Sequence, residues 1–275
     1  MSEFLAQVCA EAEARVAVAV RSEPFEALRA RATTLPEPPP FGAALRGGSI
    51  IAEVKRASPS RGRIVESCDA LERARQFEAG GAAAVSVLTE PEHFRGSLAD
   101  LQQVAAGVTL PVLRKDFIID PYQLFEARAA GAAAALLLVG ALEHTQLVQL
   151  LLTAQEAGVE PLIEIHGTAE VDRAVAALAV VPHNGRPPVI GVNARDLRRL
   201  SVDPEVFAST VGAVPDGAIV VAESGVHDPT DVEQYVRLGA DAVLVGEYLM
   251  RAADPSSATA GLAAAARATA QTEAL

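Results

Sequence analysis

The chain contains two lysines and twenty-one arginines, and both lysines follow short apolar runs. Lys55 ends the segment SIIAEVK, and Lys115 ends LPVLRK. A guanidinium stays protonated at any working pH, whereas a lysine in a dry, like-charged pocket can have its pKa lowered until it gives up a proton. Chance survival in an arginine-rich composition would explain the number of lysines but not their placement. We therefore expect both lysines to do acid chemistry.

Other polar residues end apolar runs in the same way. Glu53 precedes Lys55 by two positions, Asn193 precedes Arg195 by two, and Glu164 and Glu223 each close a run of their own. Side chains alternate across a strand, so residues two apart share a face, and inward-facing groups of this kind would converge. Converging charges of both signs can pair, and pairing moves their pKa values apart. For Lys115 with Glu164 this favours chemistry; for Glu223 and Asp116 a structural ion pair is an equal alternative.

A repeated unit positions these residues. A helical stretch, a glycine and a short apolar run recur, and the glycines Gly80, Gly131, Gly158 and Gly239 are predicted to be left-handed helix C-caps. Their spacings of 51, 27 and 81 residues are close to multiples of one βα unit of 27 residues. Filling in the units predicts eight strands, at 49–55, 83–88, 110–115, 134–139, 161–165, 189–193, 218–222 and 241–245.

These strands lack the alternation of a half-exposed sheet, which is typical of parallel strands buried on both faces. Eight such units predict an α/β fold, a (β/α)8 TIM barrel, over residues 46–255. A doubly wound sheet would normally show a G-x-G-x-x-G turn after its first strand, and none follows here. Residues 1–45 are expected to form one or two helices against the barrel, and 256–275 a last helix with a frayed end, all within a single domain.

The net charge of −12 and the pI near 4.9 argue against nucleic acid or an anionic membrane as partner. The longest nearly apolar stretch, 129–142, suits a buried element better than a membrane span, and the start of the chain is unlike a secretory signal. We expect a cytoplasmic protein. Cys9 and Cys68 form no disulfide or zinc motif, so reduced structural thiols are expected.

Small residues after the last two strands indicate a phosphate site. Ser224, Gly225 and Gly246 lie where a TIM barrel often holds phosphate on backbone N–H groups and a short helix. Singly each glycine would be an ordinary turn residue, but together they favour a phosphate monoester. The loop 56–63 carries three arginines and is predicted to be a mobile lid over the mouth.

Several segments together resemble the indole-3-glycerol phosphate synthase family from residue 50 to 250. They are IAEVKRASPSRG, SVLTEPEHFRGS, LRKDFIIDPYQLFEARAAGA, LIEIH, IGVNARDL, AESGV and VGEYLM. The resemblance implies ring closure of 1-(2-carboxyphenylamino)-1-deoxyribulose 5-phosphate to indole-3-glycerol phosphate, with loss of carbon dioxide and water, in tryptophan biosynthesis. It implies a carboxy-lyase with no metal or organic cofactor.

The chemistry fits the converging residues. Lys115 would be the acid that neutralises the oxyanion formed at the ketone, with its pKa lowered by Lys55 and partial burial. Glu164 would be the base and serve dehydration, while Lys55 would hold the carboxylate or phosphate and could also act as an acid. The remaining expected site residues orient groups or bind substrate: Glu53, Asn193, Ser224, Ser58, Phe94, Phe117, Leu137, Arg195, Glu223, Gly225 and Gly246. Of these, Phe94, Phe117 and Leu137 would wall the aryl ring, with core packing as the alternative. Glu247 and Tyr248 are left outside the site because a carboxylate would repel phosphate.

Three alternatives stay open. Phosphoribosylanthranilate isomerase shares the phosphate elements but resembles an enzyme with a cysteine where this chain has Lys55. A Schiff-base aldolase would also use a strand-end lysine. A non-catalytic barrel scaffold would keep the phosphate grip without needing both Lys115 and Glu164. The default oligomeric state is a monomer.

Overall fold

Eight parallel strands close into a barrel in the computed structural model, which describes residues 3–182, 185–195 and 203–273. Each strand pairs with its neighbours in the chain, and the first strand also pairs with the last. The strands are β1 (Ser49–Val54), β2 (Ala84–Leu88), β3 (Val112–Lys115), β4 (Ala134–Leu138), β5 (Glu160–Ile165), β6 (Val189–Asn193), β7 (Ile219–Glu223) and β8 (Ala242–Val245). The predicted (β/α)8 barrel is confirmed.

Helices cover the outside of the barrel and precede and follow it. They are α1 (Glu3–Ser22), α2 (Phe25–Thr33), α3 (Phe41–Ala44), α4 (Ala70–Ala79), α5 (Leu98–Gly107), α6 (Pro121–Ala129), α7 (His144–Ala157), α8 (Thr168–Leu178), α9 (Pro204–Val211), α10 (Pro229–Arg237), α11 (Glu247–Arg251) and α12 (Pro255–Glu273). A 3-10 turn, Val139–Ala141, follows β4. Within the described ranges, no helix has the length and apolarity to cross a bilayer. The predicted frayed end falls on 274–275, outside the described residues.

The N-terminal helices contact both ends of the barrel. At the bottom, the buried ring of Phe41 in α3 joins the apolar interior, and the backbone N–H groups of Phe41 and Gly42 donate to the Glu160 carboxylate at 2.9 and 3.0 Å. At the top, Arg15 in α1 donates to Asp116 Oδ1 at 3.2 Å. The proline-rich stretch before Phe41 therefore leads into a plug for the barrel floor.

Three of the four predicted C-cap glycines are left-handed. Gly131, Gly158 and Gly239 have φ of 88°, 70° and 102°. The prediction for Gly80 is wrong: its φ is −77°, and Gly81 takes the left-handed conformation instead. Close packing explains the glycine at position 80, because a Cβ there would lie 2.4 Å from the carbonyl oxygen of Ser256 in α12.

Alternation along the strands decides what fills the barrel. Ile51, Leu113 and Leu162 belong to the buried apolar interior, together with smaller residues of the other strands. Two positions further along the same strands, Glu53, Lys115 and Glu164 face the same way. The charged residues thus lie on top of an apolar floor, which keeps water away from them on one side.

Candidate active site

A cavity of about 400 Å³ opens at the carboxyl ends of the strands. Both lysines line it, so the predicted convergence of Lys55 and Lys115 in one space is present. All but one of the predicted site residues line it: Lys115, Glu164, Lys55, Glu53, Asn193, Ser224, Ser58, Phe94, Phe117, Arg195, Glu223, Gly225 and Gly246.

Lys115 is at the centre of the charged cluster. Its Nζ donates to Glu164 Oε2 at 2.9 Å and also to Glu223 Oε2. The second oxygen of Glu164 accepts a hydrogen bond from Asn193 Nδ2 at 2.8 Å. Strands β3, β5, β6 and β7 therefore each supply one member of a single network, and the ammonium has two carboxylates within reach.

The prediction that Lys55 lowers the pKa of Lys115 is wrong in direction. Burial does lower the pKa of Lys115, but the charges of Glu164, Glu223 and Glu53 together outweigh burial and raise it. Lys55 does not act on Lys115 as expected, since its Nζ donates to Glu53 Oε1 at 2.6 Å. Lys115 is therefore firmly an ammonium, and it can release a proton only when the charges of its carboxylate partners change.

The two carboxylates on Lys115 differ sharply in proton affinity. Burial raises the pKa of Glu164, but the charges of Lys115 and His166 and hydrogen bonds from Lys115 and Asn193 bring that pKa down to about 2. Burial and the nearby Glu164 charge raise the pKa of Glu223 to about 7, against the opposing effect of Lys115. Two neighbouring carboxyls with separated pKa values are the arrangement that acid–base enzymes use. Glu223, predicted to contact substrate, thus also has the proton affinity of an acid–base group.

Glu53 in β1 and Lys55 directly after it form a second ion pair that lines the cavity. The other carboxylate oxygen of Glu53 accepts from Ser86 Oγ at 3.3 Å. Gly246, directly after β8, leaves room for the pair: a Cβ there would lie 2.7 Å from Glu53 Oε1 and 2.9 Å from Lys55 Nζ. Only glycine fits at this position without displacing the pair.

The expected phosphate side has unusual backbone geometry. Ser224 has φ of 71°, a left-handed conformation that is rare outside glycine, and Gly225 follows with φ of 84°. Ser224 Oγ donates to Asn193 Oδ1 at 2.8 Å, and Asn193 Oδ1 also accepts a hydrogen bond from the backbone N–H of Arg195 at 3.0 Å. A strained serine held this firmly at a cavity is typical of functional sites.

The loop after β1 covers part of the mouth as a small hairpin, Ala57–Ser58 paired with Gly62–Arg63. Arg56 at its base donates to both carboxylate oxygens of Asp100, at 2.6 and 2.9 Å, so this arginine anchors the loop. At the tip, Ser60 Oγ accepts from Arg195 Nη1 at 3.1 Å. The hairpin therefore lies where the sequence analysis placed a lid, and its mobility stays a prediction.

Apolar side chains form one wall of the cavity. Phe94 and Phe117 line it as predicted, with ring centroids 6.3 Å apart. Leu137 does not: it is buried in the core outside the barrel, and its neighbours Leu136 and Leu138 line the cavity. Because side chains alternate along β4, only the even-numbered positions face inward. This alternation is a signal in the sequence that could have shown that Leu137 is not a site residue.

Phe4 from α1 completes this wall. Its ring packs edge-to-face on Phe117, with centroids 6.4 Å apart, and it lines the cavity. Sequence reasoning missed it because no local pattern shows where a helix outside the repeats will be placed.

For Asp116, the sequence left open a structural ion pair or a direct role in the chemistry, and its contacts favour the structural role. Its carboxylate accepts from Thr89 Oγ1 at 2.6 Å, Arg114 Nη2 at 3.1 Å and Arg15 Nη2 at 3.2 Å. These partners occupy both oxygens, so Asp116 serves mainly to tie β3 to α1.

Glu247, excluded on the sequence, lines the cavity at the start of α11. Its carboxylate lies 3.3 Å from Arg61 Nε of the hairpin. The arginine offsets the negative charge that would otherwise oppose a phosphate.

In the part of the chain that the structure describes, one cluster has metal-ligand chemistry: atoms of Glu11, Glu90 and His93 lie within 4.8 Å of one another. Glu90 already accepts the backbone N–H groups of His93 and Phe94 at 2.7 and 3.0 Å, and His93 Nε2 lies 2.9 Å from Glu11 Oε2. These groups satisfy each other, so the cluster is assigned no ion. The expected lack of a metal or cofactor stays a prediction.

Comparison with known proteins decides the family. A family model described as indole-3-glycerol phosphate synthase matches residues 5–262. The chain belongs to the indole-3-glycerol phosphate synthase family. An indole-3-glycerol phosphate synthase of Mycobacteroides abscessus is 50% identical over 240 residues, 86% of this chain and 85% of the relative. That of Streptomyces griseus is 47% identical over 258 residues, 93% and 90% of the two chains.

Solved structures support the fold. A 3-hexulose-6-phosphate synthase from Salmonella typhimurium superposes with a TM-score of 0.64 at 17% identity, over 80% of this chain and 99% of that one. A thiamine phosphate pyrophosphorylase from Pyrococcus furiosus gives 0.60 at 16% identity, over 82% and 98%.

Membership of the indole-3-glycerol phosphate synthase family makes the chain an enzyme, a carboxy-lyase of tryptophan biosynthesis that acts on a phosphorylated substrate. The isomerase and scaffold alternatives are not favoured.

Proposed function

We propose that this cavity closes the indole ring with Lys115 as the proton donor and Glu164 and Glu223 as the groups that exchange protons with it. The observation that carries the proposal is the buried contact of one ammonium with two carboxylates whose pKa values lie far apart. An acid that must serve an oxyanion and a base that must serve dehydration can share such a network.

The steps follow from the substrate. The ring carbon that bears the carboxylate attacks the ketone, a carbon–carbon bond forms, and Lys115 gives its proton to the ketone oxygen. Carbon dioxide leaves, and the electrons of its bond restore the ring. The new hydroxyl then leaves as water, taking a proton from a protonated group, while a carboxylate removes the proton from the neighbouring carbon. Two protons go to oxygen and one is taken from carbon, so one proton per turnover comes from solvent, which balances the loss of the carboxylate as carbon dioxide; no oxidant or reductant is needed.

Protonation of a neighbouring carboxylate would release Lys115 for the reaction. Lys115 is held by Glu164 and Glu223. We infer that protonation of Glu223, whose pKa is about 7, removes one of the two negative charges and makes the ammonium a stronger acid. This replaces the expected help from Lys55, which we assign to holding the substrate's carboxylate or phosphate.

The other groups bind and orient. We assign the aryl ring to the wall of Phe94, Phe117 and Phe4, and the phosphate to the backbone around Ser224, Gly225 and Gly246. Ser58 and Arg195 contact substrate from the hairpin side, while Glu53 and Asn193 orient the lysines and the sugar hydroxyls.

The test follows the indole fluorescence that appears when the purified protein meets the carboxyphenylamino substrate. The chain has no tryptophan, so the protein itself gives little background. Lys115→Arg keeps the positive charge but cannot give up its proton. We expect kcat to fall by roughly 100-fold or more while substrate still binds.

The matched control is the reverse exchange at a surface site, Arg237→Lys in α10, where an exposed arginine pairs with Glu233. This variant should behave as the unaltered protein. Near-normal kcat in Lys115→Arg would overturn the assignment of the acid.

We further propose that the chain works as a single-domain monomer in the cytoplasm and binds no nucleic acid. The acidic net charge of −12 supports the last point. Light scattering together with gel filtration tests the monomer.

A further inference from the structure

His166 is a partly buried titratable group that the proposed mechanism leaves without a role. It follows β5 two positions after Glu164 and does not line the cavity. Its Nε2 lies 3.4 Å from Glu164 Oε1, and its Nδ1 lies 3.5 Å from Glu170 Oε2 in α8. The ring therefore lies between the expected catalytic base and a second carboxylate.

This geometry favours a protonated ring. A neutral imidazole carries a lone pair on one nitrogen, and that lone pair would face a carboxylate oxygen. Among the described residues, neither ring nitrogen has a closer hydrogen-bond partner. With an N–H on both nitrogens, each side of the ring faces an opposite charge.

The charges around the ring agree. Carboxylates reach it from three elements: Glu164 in β5, Glu170 in α8 and Glu223 in β7. Lys115 contacts the other oxygen of Glu164, Oε2, at 2.9 Å. Burial lowers the pKa of His166, but Glu170, Glu164 and Glu223 outweigh it and raise that pKa above its usual value of 6.5.

Glu170 is held in place from two directions. Its Oε2 accepts the backbone N–H of His166 at 2.8 Å, which ties the start of α8 to the end of β5. Its Oε1 lies against Gly140 of the 3-10 turn, where a Cβ would come within 2.8 Å. Glu170 is therefore held beside the ring by its hydrogen bond from the His166 backbone.

We propose that His166 is a positioning residue: its imidazolium, held by Glu170, fixes the carboxylate of Glu164 so that Oε1 faces Asn193 and the ring while Oε2 stays on Lys115. The charge also keeps Glu164 ionised between steps and offsets part of the negative charge that ties down Lys115. The proposal rests on the proposed role of Glu164 as the base.

The first test measures the ring directly and needs no activity. Nitrogen chemical shifts of the histidine rings, recorded by NMR from pH 5 to 9, report how many N–H groups His166 carries. We expect both nitrogens to be protonated at pH 7. In Glu170→Gln, which keeps the shape but removes one charge, the titration should move down by about one pH unit or more. A ring that is neutral at pH 7, or that ignores Glu170→Gln, overturns the proposal.

The second test separates positioning from stability. His166→Asn should lower kcat about tenfold while KM changes less than about twofold, because Glu164 loses an orienting partner and not a substrate contact. The acidic limb of the pH profile of kcat should move upward by about one pH unit or more, since Glu164 loses a neighbouring cation. His144→Asn, at an exposed histidine at the start of α7, is the control and should change neither.

The outcomes are distinguishable. A loss of kcat with an unmoved acidic limb means that His166 only supports the fold, and it overturns the proposal. If Glu170→Gln moves the ring titration but Lys115→Arg keeps near-normal kcat, the proposed function fails while the ring's charge stands. If His166→Asn does not fold, Glu170→Gln supplies both the ring titration and the kinetic profile.

Discussion

Replacing Glu223 by glutamine should change how the stability of the protein depends on pH. Glu223 is 2% exposed, and its Oε1 has no hydrogen-bond partner among the described residues. That oxygen lies against Gly191, where a Cβ would collide with it. Burial and the Glu164 charge raise the pKa of Glu223 from 4.5 to about 7, although Lys115 opposes them.

The sign and size follow from linkage. A carboxyl that binds its proton more tightly in the folded state stabilises the fold fully below pH 4.5, and this contribution is lost as pH rises toward about 7. With these two values, the free energy of unfolding falls by about 2 kcal/mol between roughly pH 5.5 and 7.5 because of this one group. Glutamine does not titrate, so the variant lacks this decline.

Urea unfolding followed by circular dichroism at several pH values in that window measures the difference. The free energy of unfolding of Glu223→Gln, minus that of the unaltered protein, should become more favourable to the variant as pH rises. Glu13→Gln, at an exposed glutamate of α1, is the control and should give a nearly constant difference. If the difference in the free energy of unfolding between Glu223→Gln and the unaltered protein stays constant within about 0.5 kcal/mol over this pH range, the reasoning is refuted. A group whose pKa differs between the folded and unfolded states must make the free energy of unfolding depend on pH.

Four further substitutions test the cavity and the strand β4 beside it. Gly246→Ala places a Cβ 2.7 Å from Glu53 Oε1, so kcat/KM should fall by about 100-fold with an unchanged dichroism spectrum; full activity would mean that the Glu53–Lys55 pair can move at no cost. Phe4→Ala removes part of the aryl wall, and steady-state kinetics should show KM about tenfold higher with kcat little changed, whereas an unaltered KM would remove Phe4 from the site. Leu137→Ala should lower the free energy of unfolding by about 2 to 5 kcal/mol without changing KM, while Leu138→Ala should change KM; the reverse pattern would contradict the assigned faces of β4.

The sequence by itself determined the elements and the chemistry of their ends. The apolar runs and their glycine spacing predicted eight strands, each of which overlaps an observed one. Alternation along a strand also predicted which residues share a face, such as Glu53 with Lys55 and Asn193 with Arg195, so that they would converge if that face points inward. A closed barrel then brings its strand ends together, so the residue types at those ends indicated the cavity.

The tertiary structure alone decided what depends on distances between elements. The pKa of Lys115 was predicted in the wrong direction because the result depends on which charges lie near it, and those are Glu164 and Glu223, not Lys55. The placement of Phe4 depends on how α1 docks, and Gly80 on how α12 packs against α4. Electrostatic interactions fall with distance through space and not along the chain, so a sequence names the charged groups while only the fold assigns their partners.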